Sequence, residues 1–238
     1  IFLGNDPAFQ IGLLSVGVYK FYVFYFLLGI GAGLVSIAFI SFNERVKAGF
    51  KKVNKWISRP VAMGLVGLLM GLAGWWQPGI LGVGYESMNQ IIQGAFSGQT
   101  VLILLILKFL LVALILGVGG FGGVFAPSLF LGGAFGFLFA QAVSILLGIP
   151  LDATTYVLVG MGAVLAGINS VPLTAIMIIF EMTNDYHFIL PLMLGVVGSS
   201  LVVQMTLKGS IYARALKKQG YHYSQGKDSR ILESISVG

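Results

Sequence analysis

The stretch Gly122-Gly123-Val124-Phe125-Ala126-Pro127, continued by SLFLGGAFGFLFAQ to Gln141, decides how the rest of the chain is read. From about Pro127 it is an apolar helix carrying Gly132, Gly133 and Gly136, small residues of the kind that let membrane helices pack closely. In front of that helix stands a glycine-rich, proline-stopped turn of a kind that otherwise belongs at a surface. Glycine lets backbone approach another object closely. A proline near the helix start presets the first turn, and the amides beside it have no carbonyl partner inside the helix. A helix N-terminus with free N–H groups suits an anion by geometry and by dipole. Away from water, such donors must replace the ion's hydration shell. The same residues suit equally well a glycine-cushioned helix crossing with a proline start.

The composition around this stretch sets the class. Hydrophobic residues make up 57% of the chain, charged residues 9%, and the mean hydropathy is +0.95. A soluble domain carries about 25% charged residues, so this chain lacks the material for a water-facing surface. It reads as an all-α integral membrane protein. There is no cysteine, which excludes disulfides, thiol catalysis and cysteine metal sites. The formal net charge of +6 does not point to nucleic acid, because the basic residues gather at two places flanking apolar runs. Arg45, Lys47, Lys51, Lys52 and Lys55 form one group, and KGSIYARALKKQG forms the other. The positive-inside rule puts the loop 45–59 and the C-terminus on the cytoplasmic side. IFLGNDPAFQ has no initiating Met and no basic n-region, so the chain is expected to be a piece of a longer polypeptide.

Along the chain, helices are predicted over Tyr19 to Phe42, Val61 to Trp76, a short piece from Ser87 to Phe96, and Val101 to Leu116. Gly29 and Gly33 have a small-xxx-small spacing, and Gly64, Gly67, Gly71 and Gly74 read as packing residues. After the Pro127 to Leu147 helix, Tyr156 to Ile168 and Val171 to Met182 are apolar but short of the ~20 residues a straight span needs. Phe188 to Leu207 is a longer run. Short and glycine- or proline-interrupted segments in mid-membrane persist only where protein buries them or water solvates them, and they point to a transporter or channel site. The expected fold is therefore a set of tilted and broken transmembrane helices.

The motifs resemble those of the CLC chloride channel and proton/chloride antiporter family. GGVFAP followed by SLFLGGAFG is similar to that family's G-x-F-x-P signature. GMGAVLAGINSVPLTAIMIIFEMTNDYHFILPLMLG resembles its paired short helices and the helix that follows, and KGSIYARAL resembles its last membrane helix. The resemblance implies that residues 1–219 are the C-terminal half of a CLC-type transmembrane domain, one half of an inverted-repeat architecture. It implies that 220–238 lead toward a soluble, CBS-like domain. It implies chloride transport, as a channel or as a proton-coupled antiporter. Val124 and Phe125 match the positions whose backbone amides bind the central anion, and Tyr212 matches the tyrosine whose hydroxyl donates to it. Gly122, Gly123 and Pro127 support the turn that presents those amides. Amides and a neutral phenol bind chloride without trapping it as a buried lysine would. Phe121 stands where many relatives have proline or a small residue. The family's gating glutamate and serine-containing loop belong to the other half of the domain.

Lys108, inside an apolar run, either tunes the anion pathway electrostatically or caps a neighbouring helix's carbonyls, and the second reading is preferred. Glu181 ends an apolar helix at its dipole-unfavourable end and should find a partner or water. Asp152 and Asp185 look like helix-boundary residues, and His187 and His222 lack a metal-ligand pattern. No metal or cofactor is expected, only chloride as the transported ion. The resemblance also implies a homodimer with Leu173 and Ile189 near its interface, although both suit lipid equally well. Two other classes stand beside the transporter. An intramembrane enzyme would need paired Asp, Ser with His, or His-Glu-x-x-His, and the sequence has none of these arrangements. A structural subunit completing a partner's pore would share the glycine packing but has no use for bare amides at Val124 and Phe125.

Overall fold

The computed structural model describes residues 22–53, 58–120, 122–149, 151–183 and 185–207. Lys55, Phe121, Tyr212, His222 and the 220–238 tail lie outside them. The described residues form helices α1 (Tyr22–Val53), α2 (Arg59–Trp76), α3 (Tyr85–Ile92), α4 (Gly98–Val118), α5 (Phe125–Leu147), α6 (Ala153–Asn169), α7 (Pro172–Thr183) and α8 (Ile189–Leu207). Short 3₁₀ turns, Pro78–Ile80 and Tyr186–Phe188, lie before α3 and α8. Four stretches are long and apolar enough to cross a membrane: Tyr22–Lys52, Gly98–Val118, Phe125–Leu147 and Ile189–Leu207. The all-helical membrane class expected from composition is the class observed.

The arrangement is built around α6. Every residue from Thr155 to Ile168 is buried, so this helix, apolar on all sides, has protein rather than lipid around it. It packs against α1, α5, α7 and α8. Its length of 17 residues is acceptable because both ends are satisfied inside the protein. Asp152 caps the start, accepting hydrogen bonds from the Thr154 and Thr155 amides at 3.3 Å each and from the Thr155 hydroxyl at 2.5 Å. Ser170 ends it in the left-handed region at φ 57°, with its amide donating to Ala166 O.

Close approach of α5 to α6 is made by glycine. A Cβ on Gly132 would land on the Gly160 carbonyl, one on Gly160 would land on the Gly132 carbonyl, and one on Gly136 would meet the Tyr156 carbonyl. The α1–α8 contact works in the same way: Gly29 lies on Gly195, and Gly33 lies on Val202 and Ser199. The small-xxx-small spacing in α1 is thus a helix contact. In α2 the described residues supply a packing contact for one of four glycines. Gly74 meets Leu81, but Gly64, Gly67 and Gly71 have nothing within 4 Å among the described residues. The α2 side chains around them, Leu65, Leu68, Leu69 and Leu72, are exposed.

Two further differences concern helix ends. α1 does not stop at Phe42 but continues to Val53, so Arg45, Lys47, Lys51 and Lys52 sit on a helix rather than in a loop. Nothing between Asn43 and Val53 breaks a helix except Gly49, and Glu, Arg, Lys and Ala are good helix formers. α3 starts at Tyr85 and ends at Ile92, ahead of the expected Phe96, because Gly94 turns left-handed and the Ala95 amide closes back on Gln90 O.

Candidate functional site: the turn between α4 and α5

α4 is capped by Ser97, whose hydroxyl accepts from the Thr100 amide, and runs as an unbroken apolar helix from Gly98 to Val118. It ends at Gly119, left-handed at φ 90°. The Gly120 amide returns to Ile115 O at 2.9 Å and the Gly119 amide to Leu116 O at 3.3 Å, a double closure of the helix end. The backbone donors up to Gly120 are therefore consumed by α4.

Beyond that point the bonding stops. Gly122 and Gly123 are exposed, Val124 is 5% exposed, and α5 opens at Phe125. Val124 is the N-cap residue, and its side chain cannot cap. Its carbonyl accepts the first helical bond, from the Ser128 amide at 3.0 Å. Pro127, third residue of the helix, has no N–H to leave bare. The amides from Gly122 through Ala126 have no hydrogen-bond acceptor among the described residues. The first turn is braced instead from its carbonyl side, where the Ser128 hydroxyl donates to Phe125 O at 2.6 Å. α5 starts two residues before the expected Pro127, which puts Phe125 in the helix and Val124 at its cap.

The Val124 side chain anchors the turn in a small apolar cluster with Phe39 and Ala32 of α1, Val112 and Ala113 of α4, and Ile168 and Val164 of α6. Phe125 is 39% exposed and lies on the open side. The site thus has one wall: a buried anchor, a run of unpartnered amides, and an open face at Gly122 and Gly123. Among the described residues no group of three His, Cys, Asp or Glu could hold a metal.

Lys108 lies elsewhere on α4. It is 2% exposed, and its Nζ donates to Ile80 O at 2.6 Å and to Gly82 O at 2.9 Å, with the Phe130 ring centroid 5.2 Å away. Two carbonyl dipoles and a ring face solvate the ammonium in place of water. The carbonyls belong to a 3₁₀ turn and the irregular backbone after it, not to the neighbouring helix expected from sequence. Glu181 is exposed near the end of α7. Leu173 is 72% exposed, while Ile189 is half-buried at the start of α8. Sequence reasoning passed over Arg59. Its guanidinium donates to Val118 O and Gly119 O, each at 3.4 Å, at the root of the same turn.

The family model for the voltage gated chloride channel matches residues 1–204. The chain belongs to the voltage gated chloride channel family. Among curated CLC relatives, it is 34% identical over 195 residues to the ClcB-like protein of Ralstonia nicotianae, covering 82% of this chain and 45% of that one. It is 33% identical over 229 residues to the H⁺/Cl⁻ exchange transporter ClcA of Salmonella typhi, covering 92% and 48%. This chain spans about half the length of the curated relatives it matches. Among solved structures, a slow cyanobacterial Cl⁻/H⁺ antiporter superposes with a TM-score of 0.80 at 24% identity, covering 91% of this chain and 51% of that one. A eukaryotic CLC transporter superposes with a TM-score of 0.74, also at 24% identity, covering 87% and 36%. The helical architecture is thus that of CLC transporters.

Proposed function

We propose that this chain is the C-terminal half of a CLC-type membrane domain and supplies one wall of a chloride pathway. The observation that carries the reading is the run of unpartnered amides from Gly122 to Ala126 at the α5 N-terminus, opening on exposed glycines. In a water-poor site, each unpaired N–H costs free energy unless a ligand accepts it. An anion accepts several at once, and the helix dipole favours it. Val124 and Phe125 donate to the ion, and Gly122, Gly123 and Pro127 keep their backbone clear of side chains and of competing donors. The Tyr212 hydroxyl is the remaining donor from this chain. Neutral donors hold chloride loosely enough for release.

The transport mode of the named ClcA relatives, exchange of chloride for protons, is the mode proposed here. The rest of the site comes from the other half of the domain, and two copies associate through the face that carries Leu173 and Ile189. The basic residues 45–52 and the C-terminus face the cytoplasm by the positive-inside rule. Reconstituting the full-length protein in liposomes tests the reading. A chloride gradient should drive chloride flux and opposing proton movement, and Tyr212→Ala or Gly123→Val should alter flux or anion selectivity. Wild-type vesicles that pass no chloride would overturn the transport reading. Unchanged flux and selectivity in both variants would overturn the residue roles.

A further inference from the structure

Arg59 is in an unfavourable place for its own helix. It is the first residue of α2, where a helix carries partial positive charge and favours Asp or Glu over a cation. The hydroxyl of Ser58, at the N-cap, makes no capping bond. A local preference broken in this way calls for a gain elsewhere, and the gain is on α4. The guanidinium reaches two successive carbonyls, Val118 O from Nε and Gly119 O from Nη2. These lie at the C-terminal, partially negative end of α4, where a cation is favoured. Gly119 is left-handed, and a Cβ there would meet the Arg59 guanidinium, so glycine at this position serves both the turn and the clamp. Below the guanidinium, Ala62 and Val66 of α2 pack on Val118, with Phe50, Leu114 and Ile115 around them.

We propose that Arg59 is a positioning residue for the anion turn. It rests on the reading of Val124 and Phe125 as anion donors, and it adds a means of setting their stance. Four residues, 120–123, lie between Gly119 and Val124, so the two are at most about 17 Å apart along the chain. That segment carries Gly120, Gly122 and Gly123, and the amides from Gly122 onward have no acceptor among the described residues. Its far end is fixed by the burial of Val124 in the α1–α4–α6 cluster. Its near end is held by the closure of α4 on Gly119 and Gly120 and, from outside the helix, is met by the exposed Arg59 guanidinium, 3.4 Å from each of two carbonyls. A fork on two carbonyls fixes orientation as well as distance, which a lysine point charge does not.

The test is halide binding by calorimetry and anion selectivity by flux, on purified full-length protein, with thermal melting measured in parallel. Arg59→Gln should weaken chloride binding about fivefold or more and change the chloride-to-nitrate flux ratio in protein that still melts cooperatively. Arg59→Lys, which keeps the charge and loses the fork, should recover only part of the affinity. If Arg59→Gln lowers only the melting temperature and leaves affinity and selectivity unchanged, the positioning role is refuted. Full recovery by lysine also refutes it, because charge alone would then suffice. Should Arg59→Gln not fold, the lysine variant decides alone: wild-type affinity overturns the proposal and weakened affinity supports it. Wild-type protein that binds no halide overturns the anion-site reading beneath it, a result distinct from wild-type binding left unchanged by the variants.

Discussion

Replacing Gly132 by alanine puts one methyl group where α5 and α6 touch backbone to backbone. The added Cβ would meet the Gly160 carbonyl oxygen and carbon, and the Met161 Cα at 2.8 Å, none of which can rotate away. Relief requires the helices to part. That also loosens the reciprocal contact of Gly160 and the Gly136 contact on Tyr156 one turn along. Overpacking a well-filled interior costs about 1–3 kcal/mol, and rigid neighbours place this case in the upper half of that range. Against it stands the better helix propensity of alanine, about 1 kcal/mol. The net expectation is a loss of about 1–2 kcal/mol, a five- to thirty-fold shift toward the unfolded form. Gly49, exposed on the emergent part of α1 with nothing within 4 Å, is the matched control. There the same substitution keeps the propensity gain and meets no obstacle.

The assay is thermal unfolding in detergent, followed by tryptophan fluorescence and by loss of monodisperse protein on size exclusion. Gly49→Ala should melt at or above the wild-type temperature and Gly132→Ala clearly below it. Gly162→Ala should fall between them. Its obstacle at 2.6 Å is the tip of Leu192, a side chain that can change rotamer. If Gly132→Ala melts with Gly49→Ala, the α5–α6 contact is not backbone-limited and the account of the core is wrong.

Lys108→Met should destabilise by about 1–3 kcal/mol, because it leaves the buried Ile80 carbonyl without its donor; a melting temperature equal to wild type would contradict the cage geometry. Lys108→Arg, which retains donors, should recover part of that loss in the same melting experiment. Asp152→Ala removes three hydrogen bonds from the start of α6 and should cost about 1–2 kcal/mol, checked by melting against Asp152→Asn, which keeps an acceptor. Leu173→Cys adds a thiol to a stretch that has none; with the unsubstituted full-length protein as control, a bifunctional maleimide should yield covalent dimer in membranes, and no dimer above the control at any spacer length would exclude that face from an interface.

What was legible in the sequence was what apolar run length and punctuation control. The starts and stops of α6, α7 and α8 lie within about a turn of expectation because Asp152, Ser170 with Pro172, and Asp185 mark them locally. The C-terminal end of α1 was hidden, since counting apolar residues stops at Asn43 while the helix continues through charged residues that favour helix equally well. The glycines show the same limit. Spacing alone gave Gly29, Gly33, Gly64, Gly67 and Gly71 one reading, yet only the first two meet another helix among the described residues. A small-residue stripe states that close approach is available, and the fold decides whether anything approaches. The cage of Lys108 was legible in kind but not in partner. Its carbonyls come from irregular backbone 26 and 28 residues earlier, and no periodicity announces them.

The backbone of the turn was legible for a different reason. It is defined by what the backbone does not bond to, and that follows from local chemistry: glycines that supply no side-chain cap, a proline without N–H, and a helix start with orphan donors. Arg59 was missed because its partner is a helix C-terminus 59 residues away, and on α2 itself it looks like the last residue of a basic topology signal. The two readings of that arginine are compatible, since a topology determinant sits where the chain emerges and α4 ends at the same level. The one cation on α2 thus does for the turn's root what Val124 does for its tip. The amides from Gly122 to Ala126 have no acceptor among the described residues, and neither anchor uses them.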